Sequence, residues 1–294
     1  MKVLLYGIAT IAILYALTGL GIYFFQGRLI YFPVKGLAWT PKESGMDFTE
    51  ARFEADDGHT GLHGWFFGAE QSTAPVLLFN HGNGGNISHR LDSVALYREM
   101  GFRVFLYDYR GYGLSPGTPN EQGLYADGLG AFDYLTRERG IPEHRIFVLG
   151  RSLGGAIATY VAAHRPVKGL IIENSFTSLV ELGASIYPWL PVRTLSRHRY
   201  PSIERLRDSD VPVLIFHSPD DEIVPFEHGQ ALARAAGDRA RFVTLTGGHN
   251  TAVHESVTTY RGALASFIAE LTADPVGEAV PDITPLPPVR ADTQ

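Results

Sequence analysis

The sequence contains no cysteine, and this absence excludes several classes of chemistry. Disulfide scaffolds, thiolate zinc sites, iron–sulfur clusters and thiol nucleophiles all require that residue. Any covalent catalysis must therefore use an oxygen or nitrogen nucleophile. Positive charge is also scarce, because 25 Lys and Arg residues stand against 31 Asp and Glu residues, for a net charge of -6. We expect no nucleic-acid partner, since such proteins present a basic surface to the phosphates.

Sequence motifs for metals and nucleotides are missing as well. His249 and His254 are five positions apart and His81 and His89 are eight apart, so neither pair has the H-E-x-x-H spacing of zinc peptidases. The phosphate-binding pattern G-x-x-x-x-G-K-[ST] does not occur. The chain is 45% hydrophobic, which is enough to fill a globular core. We therefore expect a globular protein that uses neither a metal nor an organic cofactor.

The N-terminal segment has the composition of a membrane helix. Residues 3–25 carry no charged side chain, and a helix of that length, at about 1.5 Å per residue, spans the hydrocarbon core of a bilayer. Aromatic residues follow at 23–25, as in an interfacial belt, whereas a cleaved signal peptide would have a shorter apolar region. We predict that residues 1–27 are a retained, single-pass membrane anchor. Basic residues flank both ends, so charge does not fix its orientation.

The C-terminal segment has a different composition. Residues 274–294 contain five prolines, which interrupt helices and central strands, and we predict a disordered tail there. The remaining residues, 28–273, suit one α/β domain.

Apolar runs within this domain predict its strands. Residues 51–55 and 62–67 alternate between polar and apolar and indicate a half-exposed antiparallel pair. Continuous apolar runs indicate strands buried on both faces, and helical patterns separate them, which predicts a mostly parallel sheet flanked by helices. These runs are residues 76–79, 104–107, 146–149, 170–172, 213–216 and 242–245. In such sheets the ligand site lies beyond the carboxyl ends of the strands.

One strand end carries a nucleophile motif. Residues 150–154 read Gly-Arg-Ser-Leu-Gly, the G-x-S-x-G pattern, with a strand before it and a helix after it. The two glycines allow a sharp turn that presents Ser152. A serine hydroxyl is a weak nucleophile until a base accepts its proton, so we expect a histidine and an orienting carboxylate at other strand ends.

The later strand ends supply both groups in the order serine, acid, histidine that this motif requires. His249 follows the last apolar run and is the predicted general base. Asp221 follows the preceding run and is the predicted orienting acid, while Asp220 and Glu173 remain alternatives on these grounds.

A carbonyl under attack develops negative charge and needs donors aimed at it. The backbone N–H of Leu153, at the start of the following helix, is one predicted donor. The loop after residues 76–79 should supply a second, and we assign it to the backbone N–H of Asn83.

Taken together, these segments resemble α/β-hydrolases of the bud-emergence-protein-like group. The resemblance covers nearly all of residues 28–267, and its motifs are His81-Gly82-Asn83, residues 107–115, residues 150–155, residues 174–178 and the loops that hold Asp221 and His249.

The resemblance implies an α/β-hydrolase fold with a Ser152, Asp221, His249 triad and Asn83 and Leu153 as backbone donors. It implies hydrolysis of esters, thioesters or related acyl substrates, small or lipid. It also selects Asp221 over Asp220, because in that group the acid lies four residues after the histidine that ends its strand.

The connection at residues 179–209 is longer than a usual crossover, and we predict that it forms a short cap over the site. Its arginines and aromatic residues are compatible with a solvated face or with a rim that meets lipid headgroups and acyl chains. Two other functions remain open: a peptidase of the prolyl-oligopeptidase type, and a non-catalytic binding module on the same fold. The sequence does not indicate an oligomeric state.

Overall fold

The computed structural model describes residues 1–69 and 72–273. The predicted C-terminal tail, residues 274–294, lies outside the described residues. The main sheet of the described chain has eight strands. These are β1 Thr49–Phe53, β2 Leu62–Phe67, β3 Val76–Asn80, β4 Arg103–Tyr107, β5 Ile146–Arg151, β6 Gly169–Glu173, β7 Val213–His217 and β8 Ala240–Thr244.

The sheet confirms the predicted mostly parallel α/β architecture. Its strand order is β8-β7-β6-β5-β3-β4-β2-β1, and β2 runs antiparallel to both neighbours while the other pairings are parallel. In register, Asn80 lies beside Gly150, Arg151 beside Glu173, and Glu173 beside Phe216. The carboxyl ends of β3, β5, β6 and β7 therefore meet at one edge of the sheet.

Helices cover both faces of this sheet. The helices that follow β3 in the described chain are α2 Leu91–Glu99, α3 Glu121–Asp133, α4 Leu153–His164, α5 Leu179–Ile186, α6 Val192–Leu195, α7 Ser202–Arg207, α8 Phe226–Ala236, α9 Ala252–Glu255 and α10 Val257–Thr272. Successive strand residues enter opposite cores: Leu78 lies in the core that also contains residues of α3, α4, α7 and α8, whereas Phe79 lies in the core that contains residues of α2, α9 and α10. Short helical turns lie at Ile87–Arg90, Tyr134–Glu138, Glu143–Arg145 and Gly237–Arg239.

Three strands differ from the expectation. Strand β1, predicted at residues 51–55, lies at Thr49–Phe53. The predicted half-exposed strand β2 is buried along its whole length, because it lies between β1 and β4, with Phe66 in one core and Trp65 in the other. Strand β8 begins and ends earlier than predicted and is only half-buried, because it forms the edge of the sheet.

Ahead of the sheet lies α1, Lys2–Ile30, which is long and apolar enough to span a membrane. Its backbone leaves helical geometry at Phe25, where φ is -107° and ψ is 15°. The chain then forms a two-residue parallel pair, Phe32–Pro33 with Gly84–Gly85. This pair joins the segment after α1 to the loop that carries Asn83.

The predicted cap segment, residues 179–209, contains three helices. The last of them, α7, packs against α4 and α8 and buries Leu206 in the core. The first two, α5 and α6, stand outside that helical layer, with Ile186, Tyr187 and Trp189 exposed between them. We call residues 179–200 the cap.

Candidate active site

Ser152 stands at the turn between β5 and α4 in a strained conformation. Its φ is 54° and its ψ is -121°, a left-handed combination that costs a non-glycine residue on the order of 1–3 kcal/mol. Neighbouring groups hold it there: the Ser152 N–H donates to the Glu173 carbonyl at 2.9 Å, and the Ser152 carbonyl accepts from Ser175 Oγ at 2.7 Å. The backbone is therefore fixed with the serine at the sheet edge.

Glycines on both sides of Ser152 are required by close backbone contacts. A Cβ on Gly150 would lie 2.2 Å from the carbonyl oxygen of Gly154, and one on Gly154 would lie 2.0 Å from that of Asn80. Real Cβ atoms essentially never come this close to backbone oxygens. The G-x-S-x-G spacing thus lets α4 approach β3 and β5 while the turn stays tight.

Asp221 and His249 form a buried pair on the loops after β7 and β8. His249 Nδ1 lies 2.8 Å from Asp221 Oδ2 and 3.0 Å from Asp221 Oδ1. Asp221 Oδ1 also accepts the backbone N–H groups of Ile223 at 2.9 Å and Val224 at 2.7 Å. Burial alone would raise the pKa of Asp221, but His249 and these amides outweigh it and lower that pKa below its ordinary value.

The other two carboxylates considered as orienting acids are engaged elsewhere. Asp220 Oδ2 accepts the Gly247 N–H at 3.3 Å. Glu173 receives Arg151 Nε at 2.7 Å and the hydroxyls of Tyr97 and Tyr260. Asp221 is therefore the carboxylate that the fold places against the His249 ring.

One short segment after β6 contacts both the serine and the histidine. Asn174 Nδ2 donates to the His249 carbonyl at 3.0 Å, while the adjacent Ser175 holds the Ser152 carbonyl. In the part of the chain that the structure describes, Ser152 Oγ makes no hydrogen bond to the His249 ring. Hydrogen bonds of this kind often tighten only when substrate is bound.

The Asn83 loop lies directly beside Ser152. A Cβ built on Gly82 would lie 3.6 Å from Ser152 Cβ. The Asn83 carbonyl accepts from Phe32 N at 3.0 Å and Tyr112 Oη at 2.8 Å, and its side-chain Nδ2 donates to Ile30 O at 2.9 Å. Within the described ranges, neither the Asn83 nor the Leu153 backbone N–H donates to another protein group.

Buried polar residues support this loop from behind. Asp108 Oδ1 accepts the Ile87 N–H at 3.0 Å and lies 3.6 Å from His81 Nε2, and Tyr109 Oη donates to the His81 carbonyl at 2.8 Å. Complete burial lowers the pKa of His81 to about 3, so the ring is neutral. His81 and the loop after β4 thus pack against the Asn83 loop and position it.

Sequence reasoning missed three contributors. Glu222 Oε2 accepts the His249 backbone N–H at 2.9 Å, and its position next to Asp221 was the available signal. The sequence placed Asn174 in the motif at residues 174–178 but did not predict its hydrogen bond to the His249 carbonyl. The buried Arg151–Glu173 ion pair, at 2.7 Å, joins β5 to β6 immediately before Ser152, and no local pattern predicts its partners.

The described residues, 1–69 and 72–273, contain no group of three or more His, Asp or Glu side chains arranged to hold a metal ion. The groups at this edge of the sheet that can take part in acyl chemistry are Ser152, His249, Asp221 and the neighbouring backbone amides.

Comparison with known proteins shows which family the chain is similar to. A model of the alpha/beta hydrolase fold matches residues 75–198. Protein bem46 of Schizosaccharomyces pombe is 33% identical over 233 residues, covering 74% of this chain and 77% of that protein. Lysophosphatidylserine lipase ABHD12 of Rattus norvegicus is 31% identical over 198 residues, covering 60% of this chain and 49% of that protein.

A solved structure agrees at the level of the fold. The Pyrococcus furiosus esterase Pf2001 superposes with a TM-score of 0.68 at 15% identity, covering 83% of this chain and 98% of that one. At such low identity the likeness shows the shared architecture and nothing finer.

Proposed function

The chain belongs to the α/β-hydrolase family, in the group that includes bem46, and from this premise we propose that it is a serine hydrolase of carboxylic esters or thioesters. The observation that carries the proposal is the conformation of Ser152, which is held at positive φ on the edge where the Asp221–His249 pair also lies. Strain of this kind persists only where the surroundings enforce it, and it concentrates at functional sites.

The proposed reaction runs through an acyl-enzyme. Ser152 Oγ attacks the substrate carbonyl as His249 Nε2 accepts its proton, and Asp221 fixes the tautomer through Nδ1. The Asn83 and Leu153 amides stabilise the oxyanion. The C–O or C–S bond then breaks, and His249 returns the proton to the departing alcohol or thiol. Water attacks the acyl-serine by the same route and releases the acid.

We also propose that α1 stays attached as a membrane anchor. Its side chains from Val3 to Phe25 are uncharged and mostly exposed, which suits lipid better than water. Gln26 and Tyr31, by contrast, are buried against the cap. A helix with such contacts to the folded domain is more consistent with retention than with removal as a signal sequence. A lipid ester is the substrate that this arrangement suits, and the lipase named among the relatives acts on a lysophospholipid.

A fluorophosphonate probe tests the nucleophile. We expect the wild-type chain to be labelled and Ser152→Ala to be unlabelled, because the probe reacts with an activated serine. Ser266→Ala is the matched control, since Ser266 is an exposed serine on α10 that bonds Glu270 and should not affect labelling. Equal labelling of Ser152→Ala and wild type would refute the proposal.

Turnover of p-nitrophenyl acyl esters compared with aminoacyl amides tests the bond class. Faster ester hydrolysis supports the proposal, and faster amide hydrolysis indicates a peptidase. An unreactive Ser152 with no turnover in either panel indicates a binding module.

A further inference from the structure

The cap contacts α1 at three levels along the helix. Tyr31 Oη bonds Tyr200 Oη at 2.7 Å, near the end of α1. One turn earlier, Gln26 Nε2 donates to Leu195 O at 2.6 Å and Gln26 Oε1 accepts the Arg197 N–H at 2.8 Å. Further toward the N-terminus, Tyr15 Oη donates to the Trp189 carbonyl at 2.8 Å. The cap therefore lies along α1 rather than meeting it at one point.

These contacts fix the depth of the cap if α1 spans a bilayer. Tyr15 precedes Gln26 by eleven residues, which is roughly 16 Å along a helix and about half of a hydrocarbon core. The cap residue at the Tyr15 level is Trp189. The connection between α5 and α6 thus reaches well below the level at which the chain leaves the membrane.

The composition of that connection suits an apolar environment. Residues 182–192 contain no Asp, Glu, Lys or Arg. Ile186, Tyr187 and Trp189 are 47%, 49% and 59% exposed, which is unfavourable for such side chains in water.

The charged residues on either side of this uncharged connection are paired or stacked. Arg193 forms an ion pair with Glu181 at 2.6 Å, and the Arg197 guanidinium lies 5.4 Å from the centre of the Tyr23 ring. Arginine and tyrosine side chains, such as Arg197 and Tyr23, are typical of the lipid headgroup region.

We propose that residues 186–190, the cap tip, insert into the same leaflet as the C-terminal half of α1, so that the protein meets the bilayer at a second place. The inference rests on the proposed membrane anchor and goes beyond it. The base of the cap follows Asn174 and Ser175, which contact His249 and Ser152. The cap therefore connects the candidate site with the leaflet, and amphiphilic esters whose acyl chains lie in that leaflet are the substrates that it suits.

The absence of cysteine makes a direct depth measurement possible. The full chain, reconstituted in phosphatidylcholine vesicles, is given one cysteine at a time and a nitroxide label. Tyr187→Cys reports the cap tip, Leu14→Cys is the reference for lipid, and His144→Cys, on an exposed turn, is the reference for water. Collision with oxygen and with a water-soluble nickel chelate is measured by electron paramagnetic resonance, and thermal unfolding verifies that each variant is folded.

We expect the Tyr187 label to favour oxygen as the Leu14 label does. A label at 187 that collides with the nickel chelate as freely as one at 144 would overturn the inference and leave the anchor intact. Shielding at 187 from both reagents would overturn it as well, since it indicates a protein contact. Water-like behaviour at both 14 and 187 would refute the anchor too. None of these readouts depends on hydrolysis. A failure of the proposed hydrolase activity can therefore be distinguished from a failure of the proposed insertion.

A second measurement uses turnover as a ratio. For Trp189→Glu, the rate on a vesicle-borne ester relative to a soluble p-nitrophenyl ester should fall about tenfold, because a carboxylate is costly in the membrane. Trp189→Phe should keep the wild-type ratio. An unchanged ratio in Trp189→Glu would contradict insertion of the tip.

Discussion

At the scale of single residues, two adjacent aspartates have different surroundings. Asp221 Oδ2 faces the His249 ring at 2.8 Å, whereas Asp220 bonds the Gly247 backbone at 3.3 Å. Sequence alone left both open, because a turn of two aspartates does not show which side chain points inward. The resemblance to a known group selected Asp221, and in the structure Asp221 is the aspartate whose carboxylate faces the His249 ring.

This pair of aspartates yields a matched test. Asp221→Asn should lower kcat/KM for an ester by roughly 10³–10⁴-fold, because the amide favours the wrong imidazole tautomer. Asp220→Asn should change it by less than about tenfold, since it keeps an oxygen for Gly247. The measurement is steady-state hydrolysis of a p-nitrophenyl ester, and comparable losses in the two variants would contradict the assignment.

His81 predicts how stability depends on pH. Its folded pKa is about 3 against an ordinary 6.5, so below pH 6.5 the unfolded chain binds a proton that the folded chain does not. The part of the unfolding free energy that depends on the neutral His81 ring is therefore fully present above pH 6.5, and it decreases as the pH falls toward 3. At pH 5 the loss is about 2 kcal/mol for this one group. Burial also lowers the pKa of His217, which acts in the same direction.

Denaturant unfolding of the detergent-solubilised chain at pH 7.5 and pH 5 measures this loss. His81→Gln should show a smaller decrease in unfolding free energy between the two pH values than wild type, at an unchanged m-value. An equal decrease in both proteins would mean that His81 takes up its proton in the folded state.

At the scale of elements, the strands were predictable where burial is uniform. The runs in β3 through β7 are apolar throughout, and the structure buries them on both faces. Strand β2 was misjudged because Trp65 and Phe67 face one core and Leu62 and Phe66 the other, so apparent alternation concealed two buried faces. The order of strands was not predictable, because it depends on pairings between distant segments.

The glycines at the turn that carries Ser152 provide a prediction at this scale. Gly154→Ala should destabilise the protein by about 3 kcal/mol or prevent folding, since its Cβ would lie 2.0 Å from the Asn80 carbonyl oxygen, which is backbone and cannot rotate away. Gly262→Ala is the control: this exposed glycine on α10 has nothing within 4 Å of its Cβ position. It should gain up to about 1 kcal/mol from helix propensity. Thermal unfolding compares them, and a stable Gly154→Ala would argue against the close contact of α4 with β3.

At the scale of the whole molecule, the contact between α1 and the cap joins segments about 170 residues apart in sequence. The sequence predicted each of them separately, as an anchor and as a cap. It contained no signal for their contact, because the hydrogen bonds from the Tyr15 and Gln26 side chains are made to backbone groups of the cap. Gln26 is 6% exposed, and both the Nε2 and the Oε1 of its amide bond the cap backbone, so that it links α1 to the folded domain.

If α1 is the proposed membrane anchor, replacing that link should loosen the cap and leave the protein in the membrane. Gln26→Met keeps the shape of the side chain but leaves the Leu195 carbonyl and the Arg197 N–H without their partner, at a cost of about 1–3 kcal/mol. Amide hydrogen exchange at Arg197 should therefore accelerate by about tenfold or more, since 1.4 kcal/mol corresponds to a factor of ten. Thr10→Val removes a hydrogen bond within α1, to Tyr6, and should leave that exchange rate unchanged. Both variants should stay in the membrane fraction after alkaline extraction, because residues 3–25 remain uncharged. Wild-type exchange at Arg197 in Gln26→Met would show that the cap is held in place by the hydrolase domain alone.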